Sequence, residues 1–183
     1  NDQVRQETCV KCSAGFFQDV AGETACKACT AGYYCAEGAA AALPCPGGTH
    51  KNASLSVMTS VDECVECPVG TSCSVGSAEA VACAPGTFND QVRQETCVKC
   101  SAGFFQDVAG ETACKACTAG YYCAEGAAAA LPCPGGTHKN ASLSVMTSVD
   151  ECVECPVGTS CSVGSAEAVA CAPGTFNDQV RQE

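Results

Sequence analysis

Tryptophan and isoleucine are absent from this 183-residue chain, methionine occurs twice, and leucine stands only at Leu43, Leu55, Leu131 and Leu143. Much of the remaining apolar content is alanine, whose small side chain buries little area at roughly 25 cal/mol per Å². One large hydrophobic core is therefore excluded, and cross-links must replace packing. Long apolar runs are missing too, and none approaches the ~20 residues of a membrane-spanning helix. Positive charge is scarce: 9 Lys and Arg face 20 Asp and Glu, for a net charge of −11. Without a basic patch to hold phosphates, nucleic acid is excluded as a partner. The only histidines, His50 and His138, lack ligand spacing. There is no Ser/His/Asp or Cys/His set and no glycine-rich phosphate loop after a strand. The sequence is read as non-enzymatic, with no catalytic residue, cofactor or metal expected.

What the chain has in excess is cysteine. Twenty in 183 residues lies above the roughly 8–10% that marks disulfide scaffolds. Cytosolic proteins rarely keep disulfides, so this usage points to an extracellular or cell-surface setting.

It also has repetition. NDQVRQE begins at Asn1, Asn89 and Asn177; residues 1–88 and 89–176 are identical at every position, and 177–183 begin a third copy. Identical copies with identical cross-links prefer the same joint, and a constant joint generates a helix or straight rod. The expectation is a window on a longer array, its copies related by a constant screw operation, with residues 1–7 and 177–183 at opposite ends.

Each copy has an internal grammar. Cys26, Cys29, Cys35 and Cys45 step by 3, 6 and 10 residues, and so do Cys64, Cys67, Cys73 and Cys83. A shorter unit, Cys-x-x-Gly followed by Phe, Tyr or Thr, recurs five times as CSAGFF, CTAGYY, CPGGTH, CPVGTS and CAPGTF. Glycine at this fixed offset predicts a turn that needs positive φ. Pro44, Pro46, Pro68 and Pro85 punctuate the same places and exclude long helices and central strands. Phe17, Tyr34, His50 and Phe88 are expected to cover neighbouring disulfides as miniature cores. The fold class that follows is small and disulfide-rich, an elongated tandem-repeat rod of short β-hairpins and turns with little helix.

The pattern CxxCxxGxx…CxxCxxGYYCxxG…PCPGGT resembles the cysteine-rich repeats of the ephrin-receptor-like class. More distantly it is similar to tumour necrosis factor receptor repeats and to ciliate surface antigens. In such repeats the cysteine before the glycine turn closes a loop on the next cysteine along. Carried over, the resemblance implies Cys12–Cys26, Cys45–Cys64 and Cys83–Cys97, leaving Cys29 with Cys35 and Cys67 with Cys73. In the second copy it implies Cys100–Cys114, Cys117–Cys123, Cys133–Cys152 and Cys155–Cys161. The short pairs stay open, since Cys29–Cys45 and Cys26–Cys35 are sterically possible. Cys9 and Cys171 are left open-ended, each wanting a cysteine of an adjoining copy.

Cys9, Cys12, Cys26 and Cys29 have zinc-ribbon spacing, but the other six cysteines of the copy would then lack a purpose, so disulfides are preferred. Asp62, Glu63 and Glu66, joined by Asp19 and Glu23, lack the oxygen spacing of a calcium loop and read as a solvated acidic face. Asn52 and Asn140 each open an Asn-Ala-Ser sequon. Each sits in an interval of 19 residues between cysteines where the equivalent intervals have 14. These enlarged loops are expected to carry N-linked glycans, with Ser54, Ser56, Thr59 and Ser60 as further candidates for O-linked sugar.

The functional expectation is a structural tandem-repeat subunit of an extracellular filament or cell-surface coat, with itself, head to tail, as partner. The alternative is a receptor or adhesion ectodomain that uses the repeats as a ligand-binding stalk. Copy identity separates the two, because a ligand site usually occupies one repeat that is free to differ.

Overall fold

The computed structural model describes residues 8–180. Residues 1–7 and 181–183, on which the expectation about opposite ends falls, lie outside the described residues.

A single local event builds the secondary structure. In each Cys-x-x-Gly segment the residue after the glycine donates its N–H three residues back: Phe16 to Ser13 (3.0 Å), Tyr33 to Thr30 (3.1 Å), Thr49 to Pro46 (3.0 Å), Thr71 to Pro68 (3.2 Å) and Thr87 to Ala84 (3.0 Å). The glycine at the third turn position has positive φ, +84° at Gly32, which is the type II geometry. Where threonine replaces the aromatic residue, its hydroxyl doubles the turn bond, as from Thr49 to the Pro46 carbonyl (2.7 Å) and Thr87 to Ala84 (2.6 Å).

The two residues after each such glycine up to Gly158 become a strand. In the first half of the chain these are β1 (Phe16–Phe17), β3 (Tyr33–Tyr34), β5 (Thr49–His50) and β7 (Thr71–Ser72), interleaved with β2 (Lys27–Ala28), β4 (Leu43–Pro44), β6 (Val65–Glu66) and β8 (Val81–Ala82). The second half continues with β9 (Thr87–Phe88), β10 (Val98–Lys99), β11 (Phe104–Phe105), β12 (Lys115–Ala116), β13 (Tyr121–Tyr122) and β14 (Leu131–Pro132). It closes with β15 (Thr137–His138), β16 (Val153–Glu154), β17 (Thr159–Ser160) and β18 (Val169–Ala170). The sheets are two-stranded ribbons. Pairing is antiparallel, with Phe16 opposite Ala28, Tyr33 opposite Pro44 and Thr49 opposite Glu66. Among the described residues, helix is confined to single 3-10 turns at Val61–Glu63 and Val149–Glu151. The stretch AEGAAAALP forms a tight turn and then β4.

The chain divides into two compact units. Residues 1–81 with 91–96 form the first; residues 82–90 with 97–183 form the second. The units do not coincide with the sequence copies: residues 82–90 of copy one belong to the second unit, and 91–96 of copy two belong to the first.

Within the first unit one ribbon is fastened to the next by backbone bonds. Phe17 makes a parallel bridge to Ala39, Tyr34 to Met58 and His50 to Ser77. The N–H of Gly15 donates to the Cys35 carbonyl (2.8 Å), and that of Gly38 donates to Cys12 (2.8 Å). In the second unit the same bridges recur, Phe105 to Ala127, Tyr122 to Met146 and His138 to Ser165. The apolar residues buried in either unit are cysteines plus Met58 and Met146. None of the aromatics is fully buried: Phe16, Phe104 and Phe176 are exposed and the others are partly covered. The core is made of sulfur.

Candidate functional site: the disulfide ladder, the sequon loop and the strap

Nine disulfides link Cys12–Cys26, Cys29–Cys35, Cys45–Cys64, Cys67–Cys73, Cys83–Cys97, Cys100–Cys114, Cys117–Cys123, Cys133–Cys152 and Cys155–Cys161. Cys9, which is exposed, and Cys171, which is half-exposed, carry free thiols. Of the four cysteines with zinc-ribbon spacing, Cys12, Cys26 and Cys29 are consumed in bonds. Among the described residues no three His, Cys, Asp or Glu side chains gather where a metal ion could be held.

The turns place these sulfurs. The carbonyl of each turn glycine accepts the N–H of the cysteine beside the partner strand: Gly15 from Cys29 (2.9 Å), Gly32 from Cys45 (2.8 Å) and Gly48 from Cys67 (2.9 Å). Glycine at position 32 is dictated by more than φ, because a β-carbon there would collide with the backbone carbonyl of Gly76.

The sequon loop, between Cys45 and Cys64, is built around Asn52. Its carbonyl accepts the N–H of Leu55 (3.1 Å), and its side-chain oxygen accepts the N–H of Ser54 (2.9 Å), which is an Asx turn. The Lys51 ammonium closes the loop by donating to the Leu55 carbonyl (2.7 Å). Asn52 is half-buried, and its amide nitrogen takes no part in the hydrogen bonds among the described residues. Asn140 is placed alike, with Ser142 donating to its side-chain oxygen (3.0 Å) and Lys139 donating to Leu143 (2.7 Å). Ser54 and Ser56 are exposed, whereas the Thr59 hydroxyl is engaged by Glu63 (3.1 Å).

Met58 anchors the far end of this loop. It is 1% exposed, and its carbonyl accepts the Cys35 N–H (3.0 Å). The sequence reading missed it; its one signal was that the two methionines occupy the same place in the two copies.

The acidic residues do not gather. The Glu63 carboxylate accepts the N–H of Thr59 (2.5 Å), the Thr59 hydroxyl and the N–H of Ser60 (3.4 Å). The Thr59 N–H holds its titration below the ordinary glutamate range against an opposing desolvation effect. Asp19 pairs with Lys27 (2.5 Å), whose hydrogen bond lowers the Asp19 pKa, and the same ammonium lies 5.9 Å from the Phe17 ring centre. Glu66 pairs with Arg93 (3.5 Å), both ends exposed.

Arg93 belongs to a strap, residues 91–96, that the sequence reading treated only as a repeat marker. Its N–H donates to the Cys67 carbonyl (2.8 Å), and the neighbouring Gln94 carbonyl accepts the Cys73 N–H (3.0 Å). Gly38 and Gly76 make the corresponding donation to Cys12 (2.8 Å) and Cys45 (2.9 Å). Arg93 therefore stands where glycine stands elsewhere, at φ +63°.

Among the described residues no helix is long and apolar enough to cross a membrane. Residues 3–41 and 86–128 match the family described as tyrosine-protein kinase ephrin type A/B receptor-like. No curated protein matches the chain.

Proposed function

From the premise that this chain carries ephrin-receptor-like cysteine-rich repeats, we propose that it is a structural tandem-repeat element of an extracellular filament or cell-surface coat. One observation carries the reading: the local chemistry of the two copies is the same. The Lys27–Asp19 pair returns as Lys115–Asp107, the Thr59–Glu63 contact as Thr147–Glu151, and the sequon turn at Asn52 as that at Asn140. A face offered by one copy is thus offered again 88 residues on, and neither copy holds a ligand site of its own. Length and regularity are what identical units provide. The nine bonds leave two thiols of twenty cysteines, which supports scaffolding over catalysis. A constant joint between copies then propagates without closure.

Glycan at Asn52 and Asn140 belongs to the same reading. The Asx turn leaves the amide nitrogen unengaged, and the acidic, sugar-bearing surface limits lateral clumping. Enzymatic deglycosylation in heavy-oxygen water, followed by peptide mass spectrometry, is expected to label both asparagines. Recovery of both as unmodified asparagine removes the glycan from the proposal.

The family match itself favours a second reading, a receptor-type ectodomain. Electron microscopy of the protein isolated from its source separates the two. Fibres or sheets with a regular spacing are expected for a coat. Discrete particles that bind a soluble partner saturably, one per chain, would overturn it.

A further inference from the structure

We propose that Ser72 and Ser160 are sites of O-linked glycosylation, each carrying a sugar whose first ring packs on the valine across its ribbon. The proposal rests on the extracellular setting of the reading above and is independent of the filament.

The second residue of each strand that follows a turn faces one residue across its ribbon. In an antiparallel pair such opposed side chains share a face and interact. Phe17 faces Lys27, Tyr34 faces Leu43, His50 faces Val65 and Phe88 faces Val98. Each of these places pairs a ring with an aliphatic chain, and the Lys27 ammonium lies 5.9 Å from the Phe17 ring centre. The ribbon of β17 and β18 departs from this rule, for there Ser160 faces Val169. The ribbon of β7 and β8 has the same four residues. With no ring opposite, Val169 is 59% exposed, against 50% for Leu43, 40% for Val65 and 52% for Val98. Val81, in the middle of the chain, is 59% exposed as well. The bare valine is therefore a property of this ribbon.

The serine is free to be modified. Ser72 and Ser160 are half-exposed, and among the described residues neither hydroxyl enters a hydrogen bond. The neighbouring threonine is engaged. The Thr71 hydroxyl donates to the Pro68 carbonyl (2.7 Å) and lies 3.2 Å from the Cys67 sulfur. It also points to the opposite face, since successive side chains of a strand alternate. A pyranose has about the size of the missing ring. Its C–H face covers apolar surface, at a gain of roughly 25 cal/mol per Å², while its hydroxyls stay in water. A phosphate would leave the valine bare and add charge to a chain already at −11.

In the transfer step the serine oxygen attacks the anomeric carbon of a nucleotide-activated sugar. A glycosidic bond forms, and the bond from that carbon to phosphate breaks. The nucleoside diphosphate leaves, and the hydroxyl proton passes to a base of the transferase.

Two measurements test the site. Glycopeptide mass spectrometry with electron-transfer fragmentation, on the full chain isolated from its source, is expected to place a sugar on the serine of the Thr-Ser-Cys segment. A bare serine, a sugar on the threonine or a phosphate on either would overturn the proposal. The second measurement needs no transferase. In the sugar-free, refolded full chain, Ser160→Tyr puts a ring in the vacant place, and its urea midpoint is expected to exceed that of wild type and of Ser160→Ala. A midpoint at or below that of Ser160→Ala would show that Val169 accepts no ring and would sink the packing on which the site depends. Sugar on this serine in material without fibres leaves the site standing and refutes only the coat. Fibres built from chains with a bare serine overturn the site alone.

Discussion

Gly32 and Gly158 share a left-handed backbone, φ +84° and +76°, yet a β-carbon at Gly158 meets nothing within 4 Å while one at Gly32 strikes the Gly76 carbonyl. Alanine at Gly158 should therefore cost only the backbone term of roughly 1–2 kcal/mol. At Gly32 an overpacking cost of roughly 1–3 kcal/mol adds to it. Urea unfolding of the oxidised protein measures the difference, and equal losses at the two sites would refute the packing argument. Glu63 makes the second prediction at this scale. Its folded pKa lies below the unfolded value of about 4.5, chiefly through the Thr59 N–H. The stability it contributes is therefore complete above that value and is lost as pH falls through the lowered folded pKa. Acidification from pH 5 to 3 should destabilise the wild type more than Glu63→Gln, which cannot titrate. Stability curves of the two that run parallel across this window would exclude the linkage.

The ribbons are two residues per strand, far too short to persist alone in water. What holds them is the disulfides and, at β1, β3, β5, β11, β13 and β15, a parallel bridge to a later segment of the chain. Removing a disulfide tests this. In the chain-entropy picture the 19-residue loop of Cys45–Cys64 is worth about 3 kcal/mol and the 6-residue loop of Cys67–Cys73 about 2 kcal/mol. The double serine variant at Cys45 and Cys64 should be the less stable of the two pairs. It should also become sensitive to proteolysis within 46–63, where Met58 would lose the frame that keeps it buried. Resistance of that loop equal to wild type would mean that Met58 packing alone suffices.

For the molecule as a whole, a sulfur core means that folding and oxidation are one process. Leu, Val and Phe side chains are not among the buried apolar residues described. Full reduction and alkylation should therefore abolish amide dispersion in a proton–nitrogen NMR spectrum, while the oxidised protein keeps it on strong heating. Dispersion that survives alkylation would require a hydrophobic core not seen here. The heat-capacity change of unfolding should also fall below the usual ~12–15 cal/mol/K per residue, since little apolar surface is exposed.

The sequence by itself determined the local events. A type II turn needs only its own four residues and a glycine at the third, so Cys-x-x-Gly told where β1, β3, β5, β7 and β9 begin. Copy identity and the enlarged interval around Asn52 were equally legible, being counts along the chain. Spacing alone left Cys29 free to choose Cys35 or Cys45. The tertiary structure chose, because Cys29 is held by the Gly15 carbonyl and Cys35 by that of Met58, residues 14 and 23 positions away. Met58 itself was invisible for the same reason, its burial depending on a bridge to Tyr34. Arg93 is the plainest case. Nothing in NDQVRQE announces a left-handed residue, and arginine takes that conformation because the Cys67 carbonyl, 26 residues earlier, needs the N–H that glycine gives to Cys12 and Cys45. Contacts between residues distant in sequence leave no local pattern, and only the folded backbone brings the donor to its acceptor.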